Sequence, residues 1–201
     1  MELKVCDKQN LLDASELGEV LKEESIAKQV LERFLDFSIR GVSYIAKEDL
    51  IAVGLDGNCV CLHVEDHSGK VYDVELCIFD EEKELNKRLG TYQSSIDMYN
   101  LKKYYGMRDL NDSYIIFICR FPLFNENRHK YTFKYICNEN NDMELNDGVE
   151  KVLYSTKGTM DDIPKELQTV LEYFDGKEPK DPLVKEMDAA LNTLKAKRGG
   201  K

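Results

Sequence analysis

Two runs of alternating apolar and polar residues, separated by a short polar segment, dominate the middle of this 201-residue chain. The runs cover residues 59–65 and 71–78, and Gly69 lies in the segment between them. Alternation with a period of two is typical of strands, and glycine is typical of the turn that joins them. The pattern therefore predicts a β-hairpin, in which successive side chains point to opposite faces.

The two faces of the predicted hairpin differ in chemistry. The first face is apolar and consists of Val60, Leu62, Val64, Tyr72, Val74, Leu76 and Ile78. The second face collects ionisable and sulfur-containing side chains, namely Cys59, Cys61, His63, Glu65, Asp73, Glu75 and Cys77. Thiolates, imidazoles and carboxylates are the side chains with which proteins bind metal ions. The second face is therefore the predicted functional site.

Periodicity predicts the elements around the hairpin. Apolar residues at helical spacing predict helices near residue 15 and over residues 25–37, 79–103, about 162–174 and from 181 onward. Ser25 is the expected N-cap of the second helix, and Gly176 is expected to end the fourth. Strands are expected within residues 38–58 and over 113–119, 131–137 and 149–154. Helices and strands thus alternate in an α/β arrangement.

The order of these elements resembles the PD-(D/E)XK nuclease family transposases, also called recombination-promoting nucleases. The motifs that carry the resemblance follow the hairpin in sequence, as Lys-Arg-Leu at 87–89, Tyr-Gln-Ser at 92–94, the apolar strand at 112–118, Tyr-Thr-Phe at 131–133, Asp-Gly at 147–148, Thr-Lys-Gly at 156–158 and Asp-Pro-Leu-Val at 181–184. The resemblance runs from about Ser25 to the C-terminal helix. It implies a metal-dependent DNA endonuclease or transposase.

The same resemblance implies a fold and a domain organisation. Relatives are expected to share a restriction-endonuclease-like mixed β-sheet flanked by helices, here with additional C-terminal helices. At 201 residues the chain is long enough for one substantial core, so a single domain over residues 1–201 is expected. Its nuclease-like core would span about 25–137, its C-terminal strand and helices about 149–197, and a polar tail 195–201.

Carried over residue by residue, the catalytic pattern of the family is only partly present. Glu75 falls on the carboxylate of the second strand, and Glu32 matches an assisting carboxylate of the first helix. His63 stands where the metal-binding Asp of an Arg-Leu-Asp-Val strand is expected, and Cys61 stands at its Arg. Cys77 replaces the Gln of a Glu-x-Gln strand. The predicted catalytic set is therefore Glu75, His63, Cys77 and Glu32.

These changes bear on the cofactor. Phosphodiester hydrolysis in active relatives uses a hard cation such as Mg²⁺, which polarises phosphate and activates water. Mg²⁺ requires oxygen ligands, whereas His63 offers a neutral nitrogen. We therefore expect magnesium-dependent cleavage to be weak or absent, and a catalytically inactive binding or regulatory module is the alternative. Glu65 and Asp73 could supply substitute oxygens beside His63 and Glu75, or they could simply be solvated.

Zinc is a second cofactor hypothesis. Cys59, Cys61, His63, Glu75 and Cys77 share a face, and thiolates with imidazole suit Zn²⁺. Their Cys-x-Cys-x-His spacing differs from that of common zinc sites. The alternative is that the cysteines are small buried apolar residues.

Charge and composition limit the classes of partner that we expect for this chain. The net charge of −10 weighs against tight DNA binding, because phosphate contacts depend on Lys and Arg. Arg88 and Lys87 are the predicted DNA contacts, although Arg88 could instead pair with Glu75 or lie at the surface. DNA is the expected partner of an active enzyme, and a protein partner or a homodimer is expected otherwise.

No segment is apolar enough to span a membrane, no signal peptide is visible, and six cysteines without one indicate reduced thiols in the cytoplasm.

Overall fold

A computed structural model describes residues 11–44, 59–82, 85–104 and 110–199 of the chain. The helices are α1 (Ala14–Val20), α2 (Glu24–Leu35), α3 (Leu85–Tyr104), α4 (Lys165–Phe174) and α5 (Pro182–Gly199). The strands are β1 (Ile39–Tyr44), β2 (Cys59–Asp66), β3 (Val71–Phe79), β4 (Asp112–Cys119), β5 (Lys130–Phe133), β6 (Ile136–Cys137), β7 (Asn140–Glu144) and β8 (Val149–Ser155). The expected α/β class is confirmed.

Six of the strands form one mixed sheet in the order β1-β2-β3-β4-β8-β5. β1, β2 and β3 are antiparallel neighbours, β3, β4 and β8 are parallel, and β5 runs antiparallel at the edge. β6 and β7 form a separate antiparallel pair. Because α3 connects β3 to the parallel strand β4, the chain crosses over one face of the sheet between them.

The predicted hairpin is confirmed as β2 and β3. Its turn is closed by Asp66, whose Oδ1 accepts hydrogen bonds from the backbone of Ser68 and Lys70. Gly69 adopts a φ of 85°, which a residue without a Cβ tolerates. The turn fixes the register of the two strands, and His63 consequently lies directly opposite Asp73.

Each face of the sheet is covered by its own helical layer. The apolar face of the hairpin packs against α1, α2, α4 and α5 in one core cluster, which contains Leu62, Val74, Leu31, Phe174 and Val184 among others. The second face packs beneath α3, whose Leu89, Tyr92 and Ile96 contact the sheet in a separate cluster. The functional face of the hairpin is therefore the one that α3 covers.

Two predicted elements differ from the observed ones. Phe79 belongs to β3, where it pairs with Cys119, and α3 begins at Leu85. The strand predicted over 131–137 is divided into β5 and β6, which belong to different sheets. Its partner β8 begins at Val149, so a longer β5 would soon have no strand to pair with. β7, from residue 140 to 144, has no counterpart among the strands expected from the sequence.

The helix ends show where local signals decide the structure. α1 begins with a capping box in which Asp13 and Glu16 exchange hydrogen bonds, whereas Ser15 was the expected start. Glu23, and not Ser25, is the N-cap of α2, and it makes no side-chain cap. Asp181 caps α5 as predicted, since its Oδ1 accepts from the backbone of Val184 at 2.8 Å.

Arg33 joins helices within the layer on the apolar face of the sheet, and Arg120, which follows β4, joins that layer to the sheet. Arg33 of α2 donates to the carboxylate of Asp181 at 2.6 Å and to the backbone oxygen of Glu166. Arg120, whose side chain is almost fully buried, donates to the backbone oxygens of Leu12 and Phe174.

None of the helices in the described ranges combines the length and the apolar composition needed to cross a membrane. Residues 45–58, the remainder of the segment 38–58 in which a strand is expected, lie outside the described residues.

Candidate functional site

The candidate site is a polar layer enclosed between the sheet and α3. The register of β2 and β3 places three directly opposed pairs in a row on this face, which are Cys59 with Cys77, Cys61 with Glu75, and His63 with Asp73. Asp73 is 1% exposed and Glu75 is 0% exposed. The structure thus brings His63, Asp73, Glu75 and Cys77 onto one face, as the alternating pattern predicts.

Asp73 is the most heavily bonded side chain of this layer. Its Oδ1 lies 2.5 Å from Nδ1 of His63 and accepts from the amide of Asn111 at 3.3 Å. Its Oδ2 accepts from Nδ2 of Asn100, in α3, at 2.6 Å. Nε2 of His63 is buried and has no hydrogen-bond partner among the described residues. Both oxygens of Asp73 are therefore occupied by protein donors, and His63 is held in a fixed orientation by that carboxylate.

Glu75 has the opposite environment. Both of its oxygens are buried and lack a hydrogen-bond partner within the described chain. Burial raises the pKa of Glu75 well above its ordinary value, and the nearby charges of Asp73 and Asp97 raise it further. Burial also raises the pKa of the Cys61 thiol, with Glu75 adding to the effect. Glu75 and Cys61 therefore face each other across the two strands, and burial raises the pKa of both.

The inner surface of α3 supplies further polar groups. Nε2 of Gln93 donates to Asp97 at 2.8 Å and to the hydroxyl of Ser113 at 3.2 Å. The pKa of Asp97 is raised, mainly by burial, which the hydrogen bond from Gln93 partly offsets. Gln93, Asp97 and Asn100 were not among the predicted site residues. A signal was present in the sequence, because they recur at helical spacing between the apolar residues of this helix.

The structure joins Cys59 and Cys77 in a disulfide between directly opposed positions. The expectation of reduced thiols throughout the chain is therefore wrong for this pair. Sequence could not reveal it, because the bond depends on the register of the two strands. Cys61 and Cys119 are buried free thiols, and Cys137 is a half-buried one. Cys77, placed at the position of the family glutamine, is consequently unable to orient water or bind a metal as a thiolate in this form.

The five residues of the zinc hypothesis, Cys59, Cys61, His63, Glu75 and Cys77, cannot all reach one metal ion. His63 and Cys59 are four residues apart on β2, which separates them by about 13 Å along a strand. His63 and Cys59 therefore cannot share one ion without a change of the hairpin. In the described ranges of the chain, no group of three or more His, Cys, Asp or Glu residues is arranged to hold a metal ion.

Two other predicted residues, Glu32 and Glu65, have partners outside this layer. Oε1 of Glu32 accepts from the backbone of Ile39 at 2.8 Å, and its helix α2 packs on the opposite face of the sheet. Glu65 forms an ion pair with Arg40 at 3.0 Å. Glu32 thus serves the α2–β1 connection, and the structure does not bring it together with Glu75.

The predicted DNA contacts lie near the start of α3. The guanidinium of Arg88 lies 5.3 Å from the centre of the Phe79 ring, and it makes no hydrogen bond to Glu75. Lys87 is exposed at the surface. These two cations therefore lie near each other in α3, but neither joins the polar layer as a partner of Glu75.

No protein-family model, curated protein or solved structure matched the chain.

Proposed function

We propose that this chain is a restriction-endonuclease-like protein of the PD-(D/E)XK type that has lost efficient phosphodiester hydrolysis and acts by binding a partner. The mixed sheet, its helical layers and the carboxylates of the β2–β3 hairpin support the fold. The motifs between residues 73 and 184 support the family. The proposed loss of hydrolysis rests on the hydrogen bonds that occupy both oxygens of Asp73.

The residues of the polar layer do not fit Mg²⁺. That ion needs several oxygen ligands in near-octahedral geometry. Asp73 has both oxygens bonded to His63, Asn100 and Asn111, and the opposed position holds an imidazole. Glu75 is fully buried and faces the thiol of Cys61, whose pKa is raised by burial. The single observation that carries the proposal is therefore the engagement of Asp73 by three protein donors.

The surface supports a protein partner over DNA. In the described chain, the large apolar side chains that are exposed all belong to residues 124–160, apart from Met98. They are Phe124, Phe133, Tyr135, Ile136, Met143, Leu145 and Met160. The rings of Phe124 and Phe133 lie 5.7 Å apart between their centres, and contiguous exposed apolar side chains are typical of interaction surfaces. The net charge of −10 opposes the non-specific electrostatic attraction on which DNA binding depends.

A DNA cleavage assay tests the loss of hydrolysis. Supercoiled plasmid is incubated with Mg²⁺ or Mn²⁺ and with the parent chain, His63→Asp, or His63→Asn as the uncharged control. We expect no cleavage by the parent or by His63→Asn. We expect measurable metal-dependent cleavage by His63→Asp, since the new carboxylate would restore an anionic oxygen beside Glu75. Robust cutting by the parent that Glu75→Ala abolishes would overturn the proposal.

A binding experiment tests the choice of partner. Fluorescence anisotropy with labelled duplex DNA is expected to show only weak binding that disappears at physiological salt. Light scattering of the purified chain then reports whether the partner is a second copy. Loss of self-association in Tyr135→Ser, with Met98→Ser unchanged, would identify the exposed apolar segment as the interface. Tight, salt-resistant DNA binding would contradict the assignment of a protein partner.

A further inference from the structure

The disulfide occupies the strand pair next to Glu75, a buried carboxylate. Cys59 and Cys77 are opposed on β2 and β3 with their Cα atoms 4.1 Å apart. The next pair on the same face is Cys61 and Glu75. Positions two residues apart on a strand are separated by roughly 7 Å. Four side chains therefore rise from the corners of one small patch, and all point toward α3.

We propose that reduction of the Cys59–Cys77 disulfide by a dithiol creates a binding site for one zinc ion, formed by the thiolates of Cys59, Cys61 and Cys77 and the carboxylate of Glu75. Two ligands at alternate positions of one strand and two on its neighbour provide the four donors of a tetrahedral site. His63 is not a ligand of this centre, because its ring nitrogen is bonded to Asp73 one pair further along the hairpin.

Glu75 points independently to a ligand. It is 0% exposed, and neither of its oxygens has a hydrogen-bond partner among the described residues. A buried polar group without a partner destabilises the folded state, and the native fold usually satisfies it. A cation held between Glu75 and the three sulfur atoms would coordinate one of these oxygens and compensate the buried carboxylate. The resulting charge equals that of a zinc ion bound by four thiolates, which is a common structural site.

The oxidised form closes this site. The sulfur atoms of Cys59 and Cys77 are bonded to each other, which leaves Cys61 as the single thiol of the patch. The redox state of Cys59 and Cys77 thus decides whether zinc can bind, since the same two sulfur atoms can form either the disulfide or two bonds to zinc.

The Cys59–Cys77 disulfide is reduced by thiol–disulfide exchange with the dithiol. Cys59 is half-buried whereas Cys77 is fully buried, so a thiolate of the reductant attacks Sγ of Cys59 and Cys77 leaves as a thiolate that takes up a proton. The second thiol of the reductant then attacks the mixed disulfide, which releases Cys59 and forms the disulfide of the reductant. Zinc binding displaces the thiol protons of the three cysteines, and the carboxyl proton of Glu75 where it is bound, into solution.

Zinc uptake by the full chain in its two redox states tests the proposal. Oxidised protein and protein reduced with a phosphine, each freed of reagent, are incubated with Zn²⁺ and desalted, and bound zinc is measured by elemental analysis. Far-UV circular dichroism confirms that both forms are folded. We expect one zinc ion per reduced chain and none per oxidised chain. With Co²⁺ as the spectroscopic probe, sulfur-to-metal charge transfer should appear in the reduced form alone.

Variants assign the ligands. Cys61→Ser retains the disulfide, and it should lower the zinc affinity of the reduced chain by about 100-fold or more, because it removes a ligand and not merely an outer contact. Glu75→Gln should also weaken binding. Cys137→Ser, at a half-buried cysteine of β6, is the matched control and should bind zinc as the parent does. Equal zinc uptake by both redox forms, no uptake by the reduced chain, or unchanged affinity in Cys61→Ser would overturn the proposal.

Discussion

Nδ1 of His63 lies 2.5 Å from Oδ1 of Asp73, and the two residues occupy directly opposed positions of β2 and β3. His63 stands where the resemblance leads us to expect a metal-binding Asp. Its contact occupies Oδ1 of Asp73, an oxygen that would otherwise be available to a cation. Asn100 extends the contact into α3 by donating to the other oxygen of Asp73. The hairpin and its covering helix are therefore held together by polar contacts at the place where hydrolysis would require open coordination positions.

Replacement of His63 by Ala should destabilise the protein by about 2 kcal/mol, as expected for a hydrogen bond to a charged group. Asp73 would retain Asn100 and Asn111 as donors, which limits the loss. Urea denaturation gives the free energy of unfolding. His67→Ala is the matched control, because His67 lies exposed in the turn of the same hairpin and should change stability by less than about 0.5 kcal/mol. Equal effects at the two histidines would contradict the assigned contact.

Stability should depend on pH through Glu75. Its folded-state pKa is raised, so the folded chain binds more protons than the unfolded chain once the pH exceeds the ordinary glutamate pKa. The contribution of neutral Glu75 is complete below that ordinary value, and it is lost as the pH rises through the raised pKa. Each additional proton held by the folded state corresponds to about 1.4 kcal/mol per pH unit.

Glu75→Gln should therefore flatten the decline of stability with rising pH. The free energy of unfolding of the oxidised chain, measured in urea at a series of pH values from mildly acidic to mildly basic, reports this slope. The raised pKa of Asp97 leaves a smaller dependence in the variant. A variant with the same slope as the parent would show that Glu75 does not titrate in this way.

Arg120→Met should destabilise the protein by about 3 kcal/mol, because two backbone oxygens would lose a charged donor in a buried place. The Arg120 side chain donates to Phe174 at 2.6 Å and also to Leu12. Arg128→Met is the control, since Arg128 is half-exposed and lies 3.6 Å from Glu126, a pair worth less than about 1 kcal/mol. Thermal unfolding of both variants should show a large shift for Arg120 alone.

Two glycine substitutions should have opposite effects. A Cβ at Gly158 would lie 2.5 Å from the ring and 2.7 Å from the backbone nitrogen of His129, so Gly158→Ala should cost about 2 kcal/mol. A Cβ at Gly90 meets nothing within 4 Å, and Gly90 lies within α3. Gly90→Ala should therefore stabilise the protein by about 0.5–1 kcal/mol. Midpoints of urea unfolding distinguish the two, and a loss at Gly90 would contradict its open surroundings.

The parts of the site that could be predicted are those that depend on local pattern. The alternation along residues 59–65 and 71–78 specifies two strands and places Asp73 and Glu75 on one face with His63, which the register confirms. The helical spacing of Gln93, Asp97 and Asn100 indicated a polar stripe, but the contact of Asn100 with Asp73 could not be predicted in the same way. An amide in a helix is ordinary, and its approach to Asp73 depends on which face of the sheet α3 covers, a matter of packing between distant segments.

The sequence by itself determined the strands of the hairpin, the turn at Gly69 and the division of its side chains into two faces, because these follow from the period of the apolar residues. The tertiary structure alone decided that Cys59 bonds to Cys77, that Asp73 is occupied by His63 and Asn100, and that Glu75 is buried without a partner. The physical reason is that each of these contacts depends on strand register and on the helix above it. Register and helix placement are set by the burial of the whole sheet and not by any one segment of the chain.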